Sequence, residues 1–148
     1  MQTVSWILKD KSTWGDGPWH KEPDKVQWED AATGLPNLAV RGPVRAWCGY
    51  VGVPSGHALY GVGYSDVEDS FLVHGGLTFS GVCDEEHPDK ICHVPDSGEE
   101  KNVWWFGFDC AHAGDMVPRL WDDGEYRTLG YVKEQCRLLA AQLKVYVV

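Results

Sequence analysis

From Leu35 onward, short apolar runs alternate with Gly and Pro: "LPNLAVRGPVRAWCGYVGVPSGHALYGVGY", then "FLVHGGLTFSGV", then "NVWWFGFD". Runs of this length, rich in Val and aromatic residues and bounded by "GP", "PSG" and "HGG", predict β-strands joined by turns, with "RGPV" as a hairpin connection. In the stretch "WWFGFDCAHAGD", strand alternation puts Trp104, Phe106, Phe108, Cys110 and His112 on one face and Trp105 and Asp109 on the other. Near the C-terminus the period changes. Leu129, Val132, Cys136, Leu139 and Leu143 recur at spacings of three and four, which predicts a helix over roughly 126–143 with one apolar face. Strands followed by one packed helix specify an α+β domain built on an antiparallel sheet.

Two segments depart from this pattern. Residues 1–34 hold Trp6, Trp14, Trp19 and Trp28 among Gly, Pro and charged positions, which predicts a tryptophan-rich arm that wraps the core and inserts its rings singly. Residues 80–102, "SGVCDEEHPDKICHVPDSGEEKN", are polar and acidic, with Pro88 and Pro95, and predict a surface excursion between two strands. The whole of 1–148 is expected to form one domain: the arm over 1–34, the sheet over 35–125 and the helix over 126–143.

Charge narrows the function classes. Between Cys83 and Glu125 lie twelve acidic residues against Lys90, Lys101 and Arg119, so this region carries the whole formal net charge of −9. Such a field opposes phosphate backbones, excludes direct nucleic-acid binding and suits cations or a basic protein surface. No window approaches the ~20 apolar residues that span a bilayer, and a cytoplasmic location is expected. Five cysteines, an odd set without a secretion signal, predict reduced thiols rather than a disulfide framework.

Candidate chemistry collects between residues 74 and 115. The excursion carries Cys83, His87, Cys92 and His93, donors that suit zinc, and an ion would order a loop of little apolar content. Adjacent side chains usually diverge, so Cys92 and His93 are not expected on one ion. A four-ligand set would use Cys83, His87, Cys92 and a donor from the "DCAH" strand, most simply Cys110. His74, in "HGGLT", precedes two glycines that permit positive φ. With Asp109, His112 and Asp115 it forms a candidate hydrolytic pocket in which histidine is base or metal ligand and carboxylate is orienter. Arg41 and Arg45 are read as hairpin charges facing solvent, with an anion-holding fork as the alternative.

The motifs "GPVRAWCGYVGVPSGHALYG", "VHGGLTFSGVC", "ICHVP", "VWWFGFDCAHAGD" and "YRTLGYVKEQCRLLAAQL" resemble a family of small uncharacterised bacterial and bacteriophage proteins over roughly residues 35–143. That resemblance implies a recurring unit and a source, the cytoplasm of a bacterial host cell, and no activity. The leading expectation is a zinc-binding domain, with hydrolysis by a metal-activated water if the pocket is catalytic. The alternatives are an acidic inhibitor of a basic host protein that imitates a nucleic-acid backbone, and a sponge for a small ligand such as a nucleotide, stacked on the tryptophan-rich arm.

Overall fold

The computed structural model describes residues 1–86 and 90–146. Its strands are β1 (Val4–Trp6), β2 (Lys25–Glu29), β3 (Pro36–Arg41), β4 (Trp47–Val53), β5 (Phe79–Val82) and β6 (Trp104–Asp109), followed by helix α1 (Leu129–Val145). They form one antiparallel sheet in the order β1-β2-β3-β4-β6-β5. The α+β architecture and the packed C-terminal helix are as the sequence predicts.

Alternation along the strands gives the sheet two buried faces. On the first, Ala39, Trp47, Val51, Phe106, Phe108 and Cys110 meet Val132, Cys136, Leu139 and Leu143 of α1. On the second, Leu38, Val40, Tyr50 and Trp105 are covered by Val103, Ile91 and Phe79. Two cross-strand pairs of glycine and aromatic fix the centre: Gly49 lies opposite Phe108, and Tyr50 lies opposite Gly107. A Cβ on Gly49 would stand 2.4 Å from the Phe108 ring, and one on Gly107 would stand 2.4 Å from the Tyr50 ring. Each ring therefore lies flat over the neighbouring backbone, as only glycine allows.

Three boundaries differ from expectation. The arm contributes two strands, β1 and β2. Their signal is hidden because Lys25 and Gln27 are polar yet buried on the second face. The rings of Trp14 and Trp19, which lie between these strands in the sequence, are buried separately, Trp14 against Arg41 and Trp19 against Tyr126. Second, "GHALYGVGY" and "FLVH" form turns and two short 3-10 segments, Tyr64–Asp66 and Glu68–Ser70, instead of strands. Leu59, Val67, Phe71 and Leu77 each bury a side chain in the helix-side core without a partner strand to pair with. Third, α1 starts at Leu129, because Thr128 caps it by accepting from the Tyr131 backbone N–H at 3.3 Å.

The helix start is also held from far away. Glu22 of the arm accepts from the Leu129 backbone N–H at 2.6 Å, placing a carboxylate at the positive end of the helix. Its other oxygen receives the Tyr126 hydroxyl at 2.5 Å and the Arg41 guanidinium at 3.3 Å. Arg41 is fully buried, correcting the reading of a solvent-facing charge or an external anion fork. Its Nε donates to Asp24 at 3.0 Å and its Nη1 to Tyr126 at 2.9 Å, while the Trp47 ring lies 4.4 Å and the Trp14 ring 5.3 Å from the guanidinium carbon. Lys11 adds a second cation 2.7 Å from Asp24, whose other oxygen accepts the backbone N–H groups of Leu8 and Lys9 at 2.7 Å each.

Removing one partner of such a buried set strands the others. Arg41→Met should cost about 3–5 kcal/mol, read as a lowered urea midpoint. Gly49→Ala, which drives a Cβ into the Phe108 ring, should cost about 1–3 kcal/mol in the same assay.

Candidate functional site

The structure brings His74 and Asp115 into direct contact, with His112 beside them. His74 lies in the turn before β5, where Gly75 and Gly76 both take positive φ, 68° and 80°. A Cβ at Gly75 would stand 2.3 Å from the His112 ring, so this glycine makes room for that imidazole. The turn is moored to the helix: the His74 backbone N–H donates to Gln135 at 2.9 Å, and Leu72 exchanges two hydrogen bonds of 2.8 Å with Gln142.

Asp115 is fully buried beneath this turn. One oxygen faces His74 Nε2 at 2.7 Å and accepts the His112 backbone N–H at 3.1 Å, and the other accepts Arg127 Nε at 2.9 Å. Its backbone carbonyl accepts the indole N–H of Trp121. Burial alone would raise the carboxyl pKa. The hydrogen bonds from His74, Arg127 and the His112 N–H outweigh it and hold the group below the ordinary carboxylate value. His74 Nδ1 meets the Tyr131 hydroxyl at 2.7 Å, and Arg127 lies 4.8 Å from the Tyr131 ring. Tyr131 and Arg127 were not legible in the sequence, because neither belongs to the apolar stripe of α1 nor to a histidine- or acid-rich motif.

The four residues expected in a hydrolytic pocket lie close together, with His74 bonded to Asp115 and His112 beside Asp109. Both ring nitrogens of His74 and both oxygens of Asp115 are already engaged inside the protein, so an ion would have to break at least two good hydrogen bonds to bind. Asp109 is occupied by Thr78 Oγ1 at 3.1 Å and the Ala111 N–H at 3.0 Å, and its oxygen stands 3.2 Å from His112 Nε2. The cluster is a polar clamp that fastens the 71–76 turn and the 110–127 segment to the start of α1.

The thiol and imidazole donors are arranged differently. Cys83 follows β5 and forms a disulfide with Cys92, with Cα atoms 4.6 Å apart, so these two cysteines are not the free thiols that the odd count suggested. Cys110 is out of reach. Val82 pairs with Trp104 at one end of β6, and Cys110 lies six residues farther along, a distance of roughly 20 Å at ~3.3 Å per residue. Its thiol is buried against α1, and burial pushes its pKa up. The proposed ligand His87 lies outside the described residues. His93 does join: a ring nitrogen of His93 and the sulfurs of Cys83 and Cys92 all lie within 4.8 Å of one another. Adjacent side chains converge here because the chain turns tightly, with the Cys92 N–H donating to the Lys90 carbonyl at 3.0 Å.

Most described residues of the excursion are exposed, as expected of a surface segment, while Cys92 and His93 are buried. Its 90–94 stretch is fastened to the second face of the sheet: buried Gln27 donates to the Val94 carbonyl at 3.0 Å and accepts the Val94 N–H at 2.7 Å, and Lys25 donates to the Lys90 carbonyl at 2.9 Å. His93 is buried edge-on against Trp105, with ring centroids 5.3 Å apart. Burial lowers its pKa and favours the neutral ring. Its Nδ1 is buried and has no hydrogen-bond partner among the described residues. A neutral imidazole that donates through one nitrogen presents a lone pair on the other.

Among the described residues, no helix is long and apolar enough to cross a membrane. No protein-family model, curated protein or solved structure matches the chain.

Since the folded-state pKa of Asp115 is lowered, its contribution to stability is fully present above the unfolded value of about 3.9 and is lost as pH falls through the lower folded value. Asp115→Asn should lower the thermal midpoint at pH 7 and shrink the further fall between pH 4 and pH 2. Thermal denaturation across that range checks both.

Proposed function

We propose that the protein is a thiol-gated metal-binding protein, with Cys83, Cys92 and His93 as the ligands and zinc as the ion. The observation that carries this reading is the convergence of two sulfurs and an imidazole within 4.8 Å, together with a buried His93 Nδ1 that has no partner among the described residues. Zinc takes thiolate and imidazole ligands at about 2.3 Å and 2.0–2.1 Å. In a tetrahedral site the two sulfurs stand about 3.8 Å apart, so once the disulfide is reduced the two side chains must rotate apart to admit the ion.

The disulfide and the ion exclude each other. An external dithiol reduces the disulfide by exchange, giving up two electrons and two protons and becoming a disulfide itself, and an ion then displaces the two thiol protons of Cys83 and Cys92, because only thiolates ligate. The surroundings favour the cation: the acidic residues Asp84 and Glu85 follow Cys83 directly, and the 83–125 region carries the chain's net negative charge. Packing edge-on against Trp105 orients the imidazole. The chemistry is that of a redox-dependent metal store or a structural centre.

Protein purified without a polyhistidine tag, reduced and then dialysed against zinc, should hold about one equivalent of zinc per chain. The oxidised protein should hold less than about 0.2. Cys83→Ser and His93→Phe should each abolish retention, and Cys110→Ser should leave it unchanged. Equal zinc content in the oxidised and reduced forms would end the reading.

A further inference from the structure

An open cavity of about 580 Å³ lies against β5 and the start of the excursion, and Cys83 forms part of its wall. Phe79, Val82 and Ile91 supply an apolar side, with Val82 60% exposed. Asp84, Glu85 and Glu86 supply the rim, and no cation lines it among the described residues. Lys101 reaches Glu85 from outside at 3.0 Å, whereas Asp84 and Glu86 have no ion-pair partner among the described residues. The two sulfurs of the disulfide differ in access. Cys83 is half-buried at the cavity, while Cys92 is 6% exposed, with its sulfur 3.4 Å from the His93 carbonyl.

We propose that the disulfide is opened from this cavity by a small amine-bearing dithiol, whose thiolate attacks the Cys83 sulfur while its ammonium lies among Asp84, Glu85 and Glu86. The idea rests on the metal reading, because opening the disulfide is what frees the two sulfur ligands. Exchange takes two displacements. The thiolate bonds to Cys83 Sγ, the bond to Cys92 breaks, and Cys92 leaves as a thiolate that takes up the proton released by the reagent. The reagent's second thiolate then attacks the reagent's own sulfur in the mixed disulfide, so that Cys83 leaves and is protonated in turn. Two electrons and two protons have passed to the protein, and the reagent departs as a cyclic disulfide.

The rim decides which reagent does this fastest. A bare thiolate is repelled by Asp84 and Glu86, and a further negative charge on the reagent adds to that repulsion. An ammonium on the reagent offsets it, and the apolar side accepts the methylene groups that carry both functions. At about 7 Å in water each carboxylate shifts the encounter energy of a unit charge by roughly RT, so two of them change the rate about fivefold.

Reduction of the oxidised protein by an amino-substituted butanedithiol, by dithiothreitol and by dihydrolipoate tests the idea, with new thiols counted by alkylation and mass spectrometry and rates expressed per thiolate. In about 10 mM salt the aminodithiol should outrun dithiothreitol about fivefold, and dihydrolipoate should trail it by a similar factor. In about 0.5 M salt both ratios should fall below about twofold. Asp84→Asn combined with Glu86→Gln, its fold checked by circular dichroism, should bring the ratios close to one even at low salt. Cys92→Ser should form a mixed disulfide with cystamine at Cys83 at least about tenfold faster than Cys83→Ser forms one at Cys92. Equal rates for the three dithiols at low salt, preference for the anionic one, a charge order that persists in the folded double variant, or faster trapping at Cys92 would each overturn the proposal. Zinc retention is scored on protein fully reduced with excess dithiothreitol. Its loss would end the metal reading, while the three rates still decide how the disulfide is opened.

Discussion

The fold depends on one buried cation. Arg41 ends β3 inside the protein, with its guanidinium bonded to Asp24 and Glu22 and packed against Trp47 and Trp14. A charge placed there without partners would be prohibitive, so the arm must return with both carboxylates. Their positions then determine much else. Asp24 gathers the Leu8 and Lys9 amides and Lys11 just beyond β1, and Glu22 reaches Trp47, Tyr126 and the first amide of α1. Arm, sheet and helix are thereby fixed to one another through polar contacts whose geometry is more exacting than apolar contact alone.

Covering the second face of the sheet is the next constraint. That face carries Leu38, Val40, Tyr50 and Trp105, too much apolar surface to leave in water, and α1 already occupies the first. The excursion supplies the cover, and the buried amide of Gln27 pins it. A cover that has few apolar side chains must be held by other bonds, and the Cys83–Cys92 link provides one. The sulfurs, the imidazole of His93 and the cavity beside Cys83 all arise where this cover meets the sheet.

How much of this was legible in the sequence follows from the range of each interaction. The period of α1 and the alternation along β6 are local, and both read directly: Val132, Cys136, Leu139 and Leu143 are buried together, while Phe106 and Phe108 face the helix and Trp105 faces away. The strands of the arm were hidden because Lys25 and Gln27 break the apolar alternation for reasons that lie far along the chain, at Lys90 and Val94. Residues 57–78 misled in the opposite sense, since isolated apolar residues between glycines look like short strands until pairing is known. At the sites, the residue types around 74–115 were recognised, while their grouping was not. Register along β6 separates Cys110 from Cys83, and a tight turn joins His93 to Cys92; neither is encoded in composition.

The bond between Glu22 and the Leu129 amide spans 107 positions of the chain. A helix whose opening turn is completed by a residue so remote cannot reach its final form early, because the entropy of closing that large loop must be met before the contact returns anything. Assembly should accordingly be slow and late to commit, with the central strands collapsing first and the two flanking segments locking together as the closing event.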